Sequence, residues 1–328
     1  MKKFFSIFLV LILMLSLVAC GKKGDLTTQT PDAEEEWPTK PITVVVPWKS
    51  GGGADSSTRL IAKYWERQLG QTIVIENREG GDAVVGASYY FGQKQDGNTV
   101  LMMAQPFYSN MLLSGNVSFK LEDYVQLGIY EVDPSCLAVM PDAEFSTLEE
   151  LDAVIKENPG KIKFGVNGGS THLIMMNLLI DYYGWDVKVV FYDGASESRT
   201  ALMGGHVDVI ATTLAGCTEE IPLVIGASER NASFPDVPTY NEITGSDTIF
   251  ATTRMFGVSP EVKAEYPDRY EKLVTTLKAT FDDEELWTAL EEANRASTTI
   301  YYDVDTSNTM FSSQHALAEE YWDILSGN

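Results

Sequence analysis

Two short segments of this sequence combine glycines with small hydroxyl residues where an apolar run gives way to a helical pattern. The first is Ser50-Gly51-Gly52-Gly53-Ala54-Asp55-Ser56-Ser57. The second is Asn167-Gly168-Gly169-Ser170-Thr171-His172. Glycine lets a backbone come close to a ligand. A helix start presents unsatisfied N–H groups and the positive end of the helix dipole, a combination suited to an anion. One such turn means little, and Gly51-Gly52-Gly53 alone reads as a tight turn. Two of them on opposite sides of a cleft would make a two-sided grip on a carboxylate.

Each residue in these turns also has a plainer reading. Asp55, Ser56 and Ser57 are residue types that cap helices. His172 is equally readable as a structural residue, and Lys49 as a water-facing one; His206 and His315 look incidental. The first turn is not a phosphate loop, because no Lys-Ser or Lys-Thr follows the glycines. Ser170 and His172 have no oriented acid partner, and the run is not a G-x-S-x-G elbow. No H-E-x-x-H or paired-Cys metal site appears. Catalysis, metals and cofactors are therefore not expected.

The elements that position these turns alternate between strand and helix. Ile42–Val46 is a β-branched run with the character of a buried parallel strand. A helix follows, with Leu60, Ile61, Tyr64, Trp65 and Leu69 on one face and Gly70 at its end. Strands are expected at 72–76 and 99–103 around a helix at 83–91. Residues 125–132 and 135–140 read as two long strands crossing between lobes. A second alternating block has a helix at 147–157, a strand at 162–166, a helix to about residue 183, strands at 187–191, 207–211 and 222–227, and a helix at 196–203. A strand at 255–258 and helices within 260–293 and 305–325 complete the chain. This alternation predicts an open α/β fold.

The N-terminus has a basic head, Lys2-Lys3, an apolar stretch from Phe4 to Val18, and then Ala19-Cys20-Gly21. That is the pattern of a bacterial lipoprotein leader. Residues 1–19 would be removed and Cys20 lipidated. Residues 20–40 are polar and acid-rich, and read as a flexible tether. The formal charge is −23, and it becomes −25 once Lys2 and Lys3 are lost with the leader. Such acidity argues against nucleic acid and against a basic membrane-binding patch. Apart from Cys20 the chain holds only Cys136 and Cys217, which are close to no disulfide framework. They read as two buried thiols, with pairing left open. About 290 residues remain beyond the tether, enough for two lobes.

The sequence resembles the extracytoplasmic receptors of the tripartite tricarboxylate transporter system, the Bug family. The resemblance runs from Trp37 nearly to the C-terminus. It rests on Trp37-Pro38-x-Lys40-Pro41-Ile42, Val45-Val46-Pro47 with the glycines to Asp55, Leu69-Gly70-Gln71, Val74-Ile75-Glu76-Asn77-Arg78, Asp96-Gly97, Asn158-Pro159-Gly160-Lys161, Gly204-Gly205-His206-Val207-Asp208 and Phe234-Pro235-Asp236-Val237-Pro238-Thr239. Their order and spacing together are specific. The resemblance implies a two-lobed fold of the periplasmic-binding-protein type II kind, a Venus flytrap hinged on crossover strands. Lobe 1 would comprise 41–138 and 253–328, and lobe 2 would comprise 139–252. It implies a monomer that captures a small organic acid and hands it to integral membrane permease subunits. A sensory receptor presenting its ligand to a kinase is the alternative.

By position, the resemblance marks Lys49, Ser50, Gly53, Ala54 and Asp55 on one side of the cleft and Gly169, Ser170, Thr171 and His172 on the other. Asp193 stands where the family usually has a basic residue, and Lys49 where a small one is usual. Thr212 and Thr213 are further cleft donors, and Arg78 is expected to pair with Glu76. Replacing Ser170 and Thr171 together by Ala is expected to weaken binding with little effect on thermal stability.

Overall fold

The computed structural model describes residues 36–192 and 194–327. The leader, Cys20, most of the tether and Asp193 lie outside the described residues. Residues 40–328 form one compact unit.

Strands β1 (Ile42–Val46), β2 (Ile73–Asn77) and β3 (Thr99–Gln105) alternate with helices α1 (Gly53–Leu69), α2 (Val84–Phe91) and α3 (Phe107–Leu113). Strand β4 (Val125–Val139) then leads into α4 (Leu148–Glu157), β5 (Lys163–Asn167), α5 (Thr171–Tyr183), β6 (Lys188–Tyr192), α6 (Ala195–Met203), β7 (Val209–Thr213), β8 (Ile221–Ile225) and α7 (Tyr240–Thr244). The chain ends with β9 (Ala251–Val258), α8 (Pro260–Glu265), α9 (Pro267–Thr280), α10 (Glu284–Glu292), β10 (Thr299–Tyr302), α11 (Val304–Glu320) and α12 (Trp322–Ser326).

The strands run in the order β2-β1-β3-β9-β4-β7-β5-β6, with β10 and β8 also paired to β4. The β1, β2 and β3 pairings are parallel, as are β5 with β6 and with β7. Every pairing of β4 and β9 is antiparallel. Each outer group of parallel strands therefore directs its carboxyl ends, and the turns that follow them, toward the crossing region.

The sequence reading of two crossing strands becomes one strand of fifteen residues. Pro134 suggests a break because it has no N–H to donate. It sits where β4 leaves its last pairing with β9 (Pro134 opposite Ala251) and takes up β7 (Ser135 opposite Thr213), so the change of partner absorbs it. Three elements are additional to the sequence reading: α3, α7 and β10.

Each lobe has its own core. Val45, Leu101, Met103, Tyr108, Tyr124, Ile129 and Met255 pack in lobe 1. In lobe 2, Leu137, Phe164, Ile174, Met176, Leu179 and Val209 pack beneath α5. The last helix reaches that second core, since Trp322, Ile324 and Leu325 pack against it.

Candidate functional site

The first turn is held by one carboxylate. Gly51 adopts φ +81, which glycine tolerates without strain. Its N–H donates to Asp55 Oδ2 at 2.8 Å, Arg59 Nε donates to the same oxygen at 2.9 Å, and Asn77 Nδ2 donates to Oδ1 at 2.9 Å. Asn77 Nδ2 also reaches the Trp48 carbonyl at 3.0 Å. Asp55 is thus buried and committed to shaping the loop, while Lys49, Ser50 and Gly53 are exposed and Ala54 is buried behind them. Burial alone would raise the Asp55 pKa. The hydrogen bonds from Arg59, Gly51 and Asn77 outweigh it and hold the carboxyl below its usual range. Helix α1 starts after Gly52, which has no capping side chain.

The second turn is cinched by its hydroxyls. Gly169 lies at φ +68. Ser170 caps α5: its Oγ accepts from the Leu173 N–H at 3.4 Å and donates to the Asn167 carbonyl at 3.0 Å. Thr171 Oγ1 and Ser135 Oγ are 3.0 Å apart. His172 Nε2 meets Asn167 Oδ1 at 2.9 Å, which places the ring proton on Nε2. Its Nδ1 is buried without a partner. Burial pushes the imidazole pKa down to about 3, so the ring is neutral. Since Ser170 and Thr171 make internal bonds and are buried, replacing both by Ala must disturb α5 as well as the cleft. The expectation of unchanged stability is corrected accordingly.

The floor between the turns is β4. Glu131, Asp133 and Ser135 alternate onto one face of that strand. Glu131 lies opposite Arg254 on β9, and Ser135 opposite Thr213 on β7. The α1 start stands over the Glu131 end: Arg295 Nη2 donates to the Gly53 carbonyl at 3.3 Å, and Arg254 lies beside Gly53. The α5 start stands over the Ser135 end through Thr171. Both helix starts therefore face one stretch of one strand. Thr212 pairs with Cys136 and belongs to the other face, leaving Thr213 toward the floor.

Four charged residues surround the α1 end. Arg254 donates to Glu131, and Arg295 Nη1 approaches Glu131 Oε1 at 3.4 Å. Asp133 Oδ1 accepts from the Ala215 N–H at 2.9 Å, and burial pushes its carboxyl up to about 6 against the opposing pull of Arg254. None of these residues was singled out from the sequence. The available signal was a charge inside an otherwise apolar strand run, Glu131-Val132-Asp133 and Arg254, which is costly unless paired.

The lobes meet across the cleft. Asn110 Nδ2 at α3 donates to the Gly169 carbonyl at 2.7 Å. A cavity of about 570 Å³ opens beside that contact, lined by Phe107, Asn110, Gly168, Gly169 and Tyr192. A second, of about 600 Å³, is lined by Arg295, Asn294, Leu214, Ala215 and Cys217. A third cavity, of about 850 Å³, runs along α11 and touches neither turn. Arg78 pairs with Glu76. Cys136 is buried and Cys217 half-buried; both are free thiols, with Sγ atoms 3.6 Å apart. Among the described residues no cluster of three or more His, Cys, Asp or Glu could hold a metal.

The profile of the tripartite tricarboxylate transporter family receptors matches residues 57–307. The chain belongs to this family. A protein from the gbd 5′ region of Cupriavidus necator is 30% identical over 73% of this chain and 76% of its own length. BugT of Bordetella pertussis is 28% identical over 71% and 76%. Among solved structures, a TctC solute binding protein from Polaromonas matches with TM-score 0.70 at 23% identity, covering 89% of this chain and 100% of that one. An R. palustris protein solved with adipate matches with TM-score 0.73 at 22% identity, covering 88% and 98%. MatC from Rhodopseudomonas palustris with bound malate matches with TM-score 0.69 at 20% identity, covering 88% and 99%. The fold is thus the two-lobed one of extracytoplasmic solute-binding proteins. As a tripartite tricarboxylate transporter family receptor, the protein is a solute-binding protein and not an enzyme.

Proposed function

We propose that this receptor is a lipoprotein, tethered outside the cytoplasm through Cys20, that closes its lobes on a small organic carboxylate and delivers it to the integral membrane permease of a tripartite tricarboxylate-type transporter. The observation that carries this reading is the placement of the α1 and α5 starts over one face of β4. In this reading the ligand carboxylate takes the N–H groups of both helix starts, with Lys49, Ser50 and Gly53 on one side and Gly169, Ser170 and Thr171 on the other. His172 backs the second turn as a neutral ring, and Ala54 and Asp55 support the first turn from behind. The solved relatives that hold adipate and malate are in keeping with it.

A charge-assisted hydrogen bond is worth about 1.5–3 kcal/mol. Four or five of them offset the ordering of ligand and lobes and reach the roughly 8 kcal/mol of micromolar affinity. Closure follows because the ligand bonds to both lobes only in the closed form. The test is calorimetric titration of the purified full-length protein with succinate, malate, citrate, adipate and acidic amino acids. Saturable heat with at least one carboxylate is expected. Silence across the whole panel, with no carboxylate released from the purified protein on denaturation, refutes the reading.

A further inference from the structure

The charges at the crossing of β4 exceed what structure requires. Burying ions is costly, and a buried pair stabilises only when its remaining lone pairs are met. Glu131 is fully buried, yet its Oε2 has no hydrogen-bond partner. Its second cation, Arg295, stands at the long distance of 3.4 Å. The two guanidinium groups crowd the first residue of α1: a Cβ on Gly53 would lie 3.6 Å from Arg254 Nη2 and 4.0 Å from Arg295 Nη2. The cavity lined by Arg295 and Ala215 borders this cluster at Arg295. Glu131 and Asp133 balance Arg254 and Arg295, so the corner is formally neutral, with donors at the α1 start and an unmet acceptor on Glu131.

A plain dicarboxylate satisfies the donors and leaves Glu131 unmet, with a second anion brought toward two carboxylates. A ligand carrying an ammonium beside its carboxylate satisfies both. We propose that Glu131, Arg254 and Arg295 form a head-group subsite, and that the ligand class is α-amino acids. The carboxylate meets the guanidinium edges and the α1 start, and the ammonium meets Glu131 Oε2. Opening of the lobes gives access, and closure buries the head group. This rests on the carboxylate-capture reading above and narrows it.

The test uses matched pairs differing by one ammonium group: L-aspartate against succinate, L-glutamate against glutarate, and L-alanine against propionate, each titrated into full-length protein at pH 7.5. The amino member of at least one pair is expected to bind at least tenfold tighter. Glu131→Gln is expected to reduce that preference to threefold or less, and Arg295→Gln to weaken both members of the pair. Should Glu131→Gln fail to fold, the wild-type ratio and Arg295→Gln carry the test. Equal or tighter binding of the deaminated acids overturns the inference and leaves carboxylate capture standing. Binding of neither class overturns both.

Discussion

Asp55→Ala is the most informative single perturbation of the first turn, because one buried carboxylate ties together Gly51, Arg59 and Asn77. The magnitude follows from the partners. The Arg59 side chain is 47% exposed, so its i,i+4 ion pair contributes only about 0.5 kcal/mol. The Gly51 and Asn77 bonds go to a carboxylate in a side chain 2% exposed, and contribute about 1–2 kcal/mol each. The expected loss is therefore about 2.5–4.5 kcal/mol, or a fall of roughly 4–7 °C in Tm for a body of this size. Asp55→Asn keeps an acceptor for Gly51 but loses the charge, and should fall about half as far. The sign of the pH dependence is also fixed. Asp55 has a folded pKa below its unfolded value, so its contribution is present above about pH 4 and disappears as pH falls through the lower folded value. Differential scanning calorimetry of wild type and variants from pH 7.5 to pH 3 measures both effects. A variant within 2 °C of wild type at pH 7.5, or a wild-type advantage that grows on acidification, would refute the assignment of Asp55 as the staple of the loop.

Two further outcomes concern the second turn. Ser170→Ala with Thr171→Ala removes a helix cap and a buried hydroxyl pair, and is expected to lower stability by about 2 kcal/mol while also weakening ligand binding; denaturant melts beside calorimetric titration separate the two. His172 is neutral in the folded state with a pKa of about 3, whereas unfolded histidine titrates near 6.5. Only the unfolded chain takes up that proton between those values, so stability should decline as pH drops below about 6.5. His172→Gln should flatten this part of the stability profile, and an unchanged acid limb in urea melts would count against it.

The strand–helix alternation and both glycine turns were legible in the sequence because periodicity and composition are local. What escaped depended on partners far along the chain. Thr212 and Thr213 are alike in sequence. Which one faces the floor follows from pairing with Cys136 or Ser135, and a strand with both faces covered gives no alternation to read. Asp55, Ser170 and Thr171 are marked for ligand contact by their position in the family pattern, yet the bonds each makes with Gly51, Leu173 or Ser135 are set by the folded loop. Arg254 and Arg295 belong to segments more than 200 residues after Gly53, and only the return of β9 and the approach to β10 bring them to it.

The unbroken run of β4 also acts as a ruler. The two grips hang over Glu131 and Ser135, four residues apart, and backbone rise of about 3.3 Å per residue sets them roughly 13 Å apart along the strand. Swinging the halves changes the tilt of the jaws but not that span. Adding one residue between these positions would stretch the gauge by about 3.3 Å and turn one set of side chains to the opposite side, so under the proposed two-sided grip the length and polarity of the guest are set by the register of a single stretch of chain.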